Sequence, residues 1–82
     1  MLRSNIEPVL FKGKIATLVL ARVDFYDLQG QRCILFFKVA NNEDGAYYTE
    51  TWEVPTTTLE NWGTDDTVLL QALADEKGFV LI

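Results

Sequence analysis

The chain has 82 residues, 49% of them hydrophobic and 12% aromatic, and carries a net charge of −5 with no histidine. The length predicts one domain over residues 1–82, and the hydrophobic content argues against disorder. The missing histidine excludes Ser-His-Asp and Cys-His catalysis and His-ligated metals, and the lone Cys33 excludes an internal disulfide and a thiolate zinc cluster. No signal peptide and no apolar run long enough to span a bilayer is present, so we expect a cytoplasmic protein without a membrane partner. We also expect no cofactor and no metal.

The first predicted element is a short strand over residues 9–11, and Pro8, directly before it, marks where the strand begins. Proline cannot donate a ladder hydrogen bond, so it suits the first position of a strand. The opening residues 1–7 are expected to be loose. Gly13 then predicts a bulge or a sharp bend before the next strand.

Two turns that contain glycine separate the three strands that follow, at residues 15–26, 32–40 and 46–54. A loop over residues 28–30 gives Gly30 the left-handed position. That loop also sets the pairs Val19/Val39, Ala21/Phe37, Val23/Leu35 and Phe25/Cys33. A loop over residues 42–45 sets the pairs Val39/Tyr48, Leu35/Trp52 and Cys33/Val54. Both turns place the same side chains of the middle strand on one apolar face, and a slip of one residue would break that agreement.

The strand at 15–26 changes character along its length. Its first half is apolar at successive positions, which indicates a central strand covered on both faces. Its second half alternates, with Val23 and Phe25 expected inward and Arg22 and Asp24 outward.

Helices are predicted after Pro55. Residues 59–63 are typical of a single helical turn closed by Gly63, and Thr64 is a suitable N-cap for a longer helix with acids at 65–66 in its first turn. Gly78 is typical of a C-cap. The apolar stripe of this helix is expected at Val68, Leu69, Ala72 and Leu73.

The uncharged end at residues 79–82 predicts a C-terminal closing strand, since a free apolar end invites aggregation. The fold class is therefore mainly β with one α-helix (α+β): an antiparallel meander, a helix and a closing strand. This order is typical of small barrels of the OB or SH3-like type, although an OB-fold has two strands after its helix. The alternative is a curled sheet with the helix packed on one face. Element order alone implies no function.

The register also defines a second face of the sheet, where basic and aromatic side chains alternate. Its apolar members can be covered by the helix, by a second copy of the chain or by another protein. Rings that stack bases and cations that follow phosphates also suit single-stranded nucleic acid, which the negative net charge disfavours. The binding candidates on this face are Arg22, Arg32, Ile34, Phe36, Lys38 and Tyr47.

Three other features have a structural explanation that we favour over a chemical one. Glu50 is expected on the inward face opposite Phe37, where a buried carboxylate would be a tuned acid, but a wet sheet edge, Tyr48 or a lysine can satisfy it. Residues 41–45 are rich in oxygen but lack the spacing of a calcium loop, so a hairpin turn is predicted. Cys33 is expected to be buried and inert, because no histidine can activate it.

Charge is divided along the chain. Residues 1–38 hold six basic and three acidic side chains, whereas residues 39–82 hold one basic and nine acidic ones. The division indicates either a charged binding surface or ordinary solvated charge. The leading hypothesis is a non-enzymatic interaction or assembly module that self-associates or binds a protein through the second face. The alternatives are a small barrel that binds single-stranded nucleic acid and an acidic mimic of nucleic acid, as phage-encoded inhibitors are.

Overall fold

A computed structural model describes residues 2–27, 29–62 and 66–82. Four antiparallel strands form a meander in the order β1-β2-β3-β4, and two helices follow. The elements are β1 (Leu2–Phe11), β2 (Lys14–Asp27), β3 (Arg32–Asn41), β4 (Gly45–Glu53), α1 (Thr56–Glu60) and α2 (Thr67–Lys77). The sheet is not closed into a barrel, so the α+β class is confirmed in its curled-sheet form.

The hydrophobic core lies between one face of the sheet, which we call the inner face, and α2. In β3 the inner face consists of Cys33, Leu35, Phe37 and Val39, all fully buried. The helix buries Leu69, Leu70, Leu73 and Ala74 against it. Full burial of one large apolar side chain stabilises the fold by about 1.5–3 kcal/mol, so this layer is the main source of stability.

The packed stripe of α2 differs from the predicted one. Leu69 and Leu73 are buried as expected, but Val68 and Ala72 are only partly buried, and Leu70 and Ala74 take their places. Apolar side chains stand at all six positions, so the sequence is compatible with two stripes about 100° apart. Contact with the sheet selects one of them.

The predicted register of the central strands is confirmed over most of its length. Val19 pairs with Val39, Ala21 with Phe37 and Val23 with Leu35. On the other side of β3, Val39 faces Tyr48 and Leu35 faces Trp52. The Val54 amide donates to the Cys33 carbonyl at 2.8 Å, in agreement with the last predicted pair.

The register of β2 shifts near its end, between Val23 and Phe25. Phe25 pairs with Ile34, so the prediction that it faces Cys33 is wrong, and Tyr26 faces Cys33 instead. The cause is a bulge at Asp24, because one extra residue reverses which face each later side chain occupies. Phe25 is 46% exposed as a result.

The β2–β3 turn also differs from the prediction. Asp27 pairs with Arg32, and the left-handed backbone belongs to Gln31, with φ 50°, while Gly30 has no positive φ. A Cβ atom on Gly30 would lie 2.7 Å from Oδ2 of Asp27. A side chain at position 30 would therefore displace the Asp27 carboxylate, which accepts from the Gln29 amide at 3.1 Å.

The first strand is much longer than predicted. Residues 2–5 pair with residues 18–21, so the expectation that residues 1–7 are loose is wrong for the described residues. A two-residue turn, Lys12-Gly13, joins β1 to β2, and both of its φ angles are positive, at 53° and 85°. Gly13 thus belongs to a tight hairpin turn rather than to a bulge.

The closing strand is present only as a single bridge. The β1–β2 pairing is interrupted between Asn5 and Val9, where Pro8 lacks an amide donor. At this interruption Ile6 forms an antiparallel bridge with Leu81, flanked by hydrogen bonds from Glu7 to Val80 and from Ile82 to Asn5. The C-terminus therefore extends the β1 edge and does not join β4 to β1.

The helices begin and end at slightly different places from those predicted. α1 starts at Thr56, directly after Pro55, instead of at residue 59. Gly78, with φ 79°, ends α2 as expected. The predicted roles of Gly63, Thr64 and Asp65 lie outside the described residues. Neither described helix has the length and apolar character needed to cross a bilayer.

Candidate functional site

The opposite side of the sheet, which we call the outer face, has four rows of side chains that run across the strands. The rows are Asn5–Leu18–Ala40–Ala46, Arg3–Leu20–Lys38–Thr49, Arg22–Phe36–Thr51 and Phe25–Ile34–Glu53. Arg32, paired with Asp27, continues the face beyond the last row. Both helices pack on the inner face, where the described core cluster includes Leu59 and Trp62 beside the α2 side chains. Of the alternatives for Ile34 and Phe36, cover by the helix is therefore the one that the structure contradicts.

The outer face is apolar along its middle. Leu18, Leu20, Ile34 and Phe36 are partly exposed, and Phe25 is 46% exposed. These side chains come from the two central strands, whose apolar residues on both faces are typical of a sheet covered twice. Within the described residues, only the inner cover is present.

Phe36 lies at the centre of this face between two cations. The guanidinium carbon of Arg22 is 4.9 Å from the centroid of its ring, and Nζ of Lys38 is 6.0 Å from it. Both distances are within the range of cation–π attraction, which holds the two long side chains over the ring. The aliphatic parts of those side chains cover some of the aromatic surface.

Acidic and basic side chains are distributed unequally along the outer face. At one end, Arg32 donates to Oε1 of Glu53 at 3.1 Å, and Arg22 lies 3.9 Å from Asp24. The other end carries Arg3 and Lys38 in one row, flanking Leu20. The face therefore has an acid-containing end and a basic end.

Tyr47, the sixth binding candidate, does not join the other five. β4 has a bulge between Tyr48, which faces Val39, and Ala46, which faces Ala40. Tyr47 is the extra residue, and it packs against the core with its hydroxyl donating to the Phe11 carbonyl at 2.9 Å. Burial raises the pKa of the Tyr47 hydroxyl, and the nearby Lys14 charge opposes that rise.

The sequence prediction missed Leu18, Leu20 and Phe25 as members of the outer face. A signal for the first two existed, because the apolar first half of β2 indicated cover on both faces. Phe25 had no such signal, since the bulge at Asp24 has no glycine or proline to mark it. The same bulge moves Tyr26 to the inner side, where its ring meets Trp62 at 5.2 Å.

Glu50 has a structural partner. It pairs with Phe37 in the sheet register, its side chain is 44% exposed, and its Oε2 lies 3.6 Å from Nζ of Lys77. Burial and a hydrogen bond to Glu50 raise the pKa of the Tyr48 hydroxyl. A lysine therefore pairs with this half-exposed carboxylate, in agreement with the favoured structural explanation.

Residues 41–45 form a hairpin turn, as predicted, but the loop covers residues 42–44 instead of 42–45, because Gly45 pairs with Asn41 and begins β4. Oδ1 of Asn41 accepts from the amides of Glu43 and Asp44 at 3.1 and 2.6 Å, and Asp44 pairs with Lys14 at 3.3 Å. Two of the side-chain oxygens of the loop, Oδ1 of Asn41 and Oδ2 of Asp44, therefore already have partners. Across the described part of the chain, no group of three or more potential metal ligands forms.

Cys33 is fully buried, and burial raises the pKa of its thiol. The thiolate is the reactive form of cysteine, so both properties oppose a nucleophilic role.

Comparison with known proteins finds no relative: no family model, no curated protein and no solved structure matches this chain.

Proposed function

We propose that this chain is a non-enzymatic assembly module that self-associates through the outer face of its sheet. The observation that carries the proposal is the position of Leu18, Leu20, Ile34 and Phe36, which lie partly exposed on the side of the sheet away from both helices. A contiguous apolar surface rimmed by charged residues is typical of a protein–protein interface. Arg22, Arg32 and Lys38 form such a rim.

The charge distribution favours a second copy of the chain as the occupant. The outer face and its Asp27 end hold four basic and three acidic side chains: Arg3, Arg22, Arg32 and Lys38 against Asp24, Asp27 and Glu53. The chain has seven basic and twelve acidic residues, so three basic and nine acidic ones remain, and eight of those nine acids lie in the part of the chain that the structure describes. Two copies repel each other least where their charges nearly cancel, and that condition holds on the outer face.

Single-stranded nucleic acid is a weaker fit for the same face. The ring of Phe36 is already covered by Arg22, so a base could stack there only after that side chain moved. Asp24 and Glu53 also place negative charge beside Arg22 and Arg32, which opposes attraction of phosphates to those two cations. No contact between described residues supports the acidic-mimic hypothesis, and two of the acids that it would use, Asp44 and Glu50, are paired with lysines.

Solution mass tests the proposal. Light scattering over a range of concentrations is expected to give a mass above the 9.3 kDa of one chain. Ile34→Thr on the outer face should lower the mass toward that of the monomer, because it removes apolar area from the contact. Val23→Thr is the matched control, since Val23 is a β-branched residue that faces Leu35 on the inner side and is 40% exposed.

Two results would contradict the proposal that the outer face serves self-association. One is a monomer at the highest concentration reached. The other is salt-dependent binding of labelled single-stranded oligonucleotides, seen by fluorescence anisotropy and weakened by Phe36→Ala, which would assign the face to nucleic acid instead.

A further inference from the structure

We propose that two protomers stack outer face to outer face about a two-fold axis that runs across the strands at the row Arg22–Phe36–Thr51. In this arrangement Lys38 of each protomer meets Glu53 of the partner subunit. The inference rests on the self-association proposed above and adds the orientation of the two copies. It follows from the order of the four rows and from the charges they hold.

The geometry of the rows makes the arrangement specific. Rows on one face of a sheet are about 7 Å apart along the strands, and neighbouring strands are about 4.8 Å apart. Lys38 and Glu53 stand one row on either side of Phe36, on the adjacent strands β3 and β4. Within one protomer they are therefore about 14 Å apart, beyond the reach of a direct ion pair.

A two-fold axis across the strands reverses each sheet end to end and keeps each strand above its own copy. The row that contains Lys38 then lies over the partner's row that contains Glu53. The offset that remains is one strand, about 4.8 Å, which the lysine and glutamate side chains can span across sheets packed about 10 Å apart. Because the interface is isologous, the contact occurs twice.

The other way to stack two sheets uses a two-fold axis along the strands, and the charges oppose it. That axis would place each row over itself with the strand order reversed, so Lys38 would lie only about one strand from Arg3 of the partner subunit, although Arg32 would lie over Asp27 of the partner subunit. Asp24 and Glu53 would likewise meet acids. The across-strand axis replaces the like-charge contacts of Lys38 and Glu53 with opposite-charge contacts and leaves one like-charge approach, between the two Arg22 side chains; such complementarity fixes orientation.

Apolar contacts agree with the same axis. Leu20 on β2 lies one row from Phe36 on the basic side, and Phe25 on β2 lies one row away on the acidic side. Reversal end to end therefore puts Leu20 of one protomer over the exposed ring of Phe25 in the other. The two Arg22 side chains approach each other at the central row, where each lies over Phe36 and beside Asp24 of its own protomer.

The experiment is a pair of charge reversals, measured separately and as a mixture by analytical ultracentrifugation. Lys38→Glu should weaken the dimer about tenfold, since it creates two like-charge contacts with Glu53, and Glu53→Lys should weaken it similarly. An equimolar mixture of the two variants should recover wild-type affinity within about threefold, because a mixed dimer restores both contacts. Glu53→Lys also removes the acceptor of Arg32, and the mixture retains that change, so recovery isolates the contact between copies.

The control is a pair of variants with the same net charges placed off the face, Lys12→Glu and Glu60→Lys. Their mixture should show no comparable recovery, which separates a specific contact from general attraction between unlike molecules. A dimer that neither reversal weakens, or that mixing fails to restore, overturns the two-fold and leaves self-association standing. A wild-type protein that stays monomeric overturns self-association itself.

Discussion

The hydroxyl of Tyr47 donates a hydrogen bond to the backbone carbonyl of Phe11, 2.9 Å away, and so joins the edge strand β4 to the β1–β2 turn. Next to it, the rings of Phe11 and Tyr48 meet edge to face with centroids 5.3 Å apart. These contacts cross the inner side of the sheet, so the sheet is curled toward the core. The outer face is correspondingly free of such crossing contacts among the described residues.

Tyr47→Phe should lower the free energy of unfolding by about 1 kcal/mol. The ring keeps its packing, but a partly buried hydrogen bond is lost. Urea denaturation measures the change. Tyr26→Phe is the control, because Tyr26 is 45% exposed and water can form hydrogen bonds with its hydroxyl. An equal loss of unfolding free energy in both variants would mean that the Tyr47 hydrogen bond does not stabilise the fold.

Leu73→Ala should lower the free energy of unfolding by about 3 kcal/mol, because Leu73 is fully buried between α2 and the inner face. Leu10→Ala removes the same atoms from a residue that is 70% exposed and should change stability by less than about 0.5 kcal/mol. Thermal and chemical unfolding of both variants provide the comparison. A small effect at Leu73 would contradict the packing of α2 on the sheet.

Gln31→Gly should raise the free energy of unfolding by up to about 1 kcal/mol. Gln31 has a φ of 50°, a conformation that strains residues with a Cβ atom and that glycine adopts freely. Gln29→Gly, in the same turn, provides the control and should give no gain. If the two variants behave alike, the left-handed residue of this turn has been placed wrongly.

Stability should fall at alkaline pH, in part because of Cys33. Burial raises the pKa of its thiol above the ordinary value of 9.0, so the folded state holds a proton that the unfolded state releases. The resulting loss of folding stability is absent below the pKa of the thiol in the unfolded chain. It grows as the pH rises past that value, until the thiol of the folded protein also ionises. The stability difference between wild type and Cys33→Ala should therefore shrink between pH 7 and pH 10 in urea titrations. A constant difference would show that the thiol does not contribute.

The sequence predicted the register of the central strands but not the two bulges in the sheet. The central register followed from the sequence, because two turns independently put Leu35 and Val39 on one face, and apolar alternation permits no other register. The bulge at Asp24 and the bulge at Tyr47 could not be read, since each inserts one residue without a glycine or proline to mark it. Those two insertions moved Phe25 onto the outer face and removed Tyr26 and Tyr47 from it.

The sequence by itself determined the meander, the inner apolar face and the lack of histidine chemistry, because these depend on local periodicity and on composition. Only the tertiary structure decided which face α2 covers. The apolar residues of the helix allow two stripes, and β3 offers apolar side chains on both sides, so each element alone is consistent with either arrangement. Mutual packing selected the inner face, and it left Ile34 and Phe36 partly exposed, outside the contact between helix and sheet.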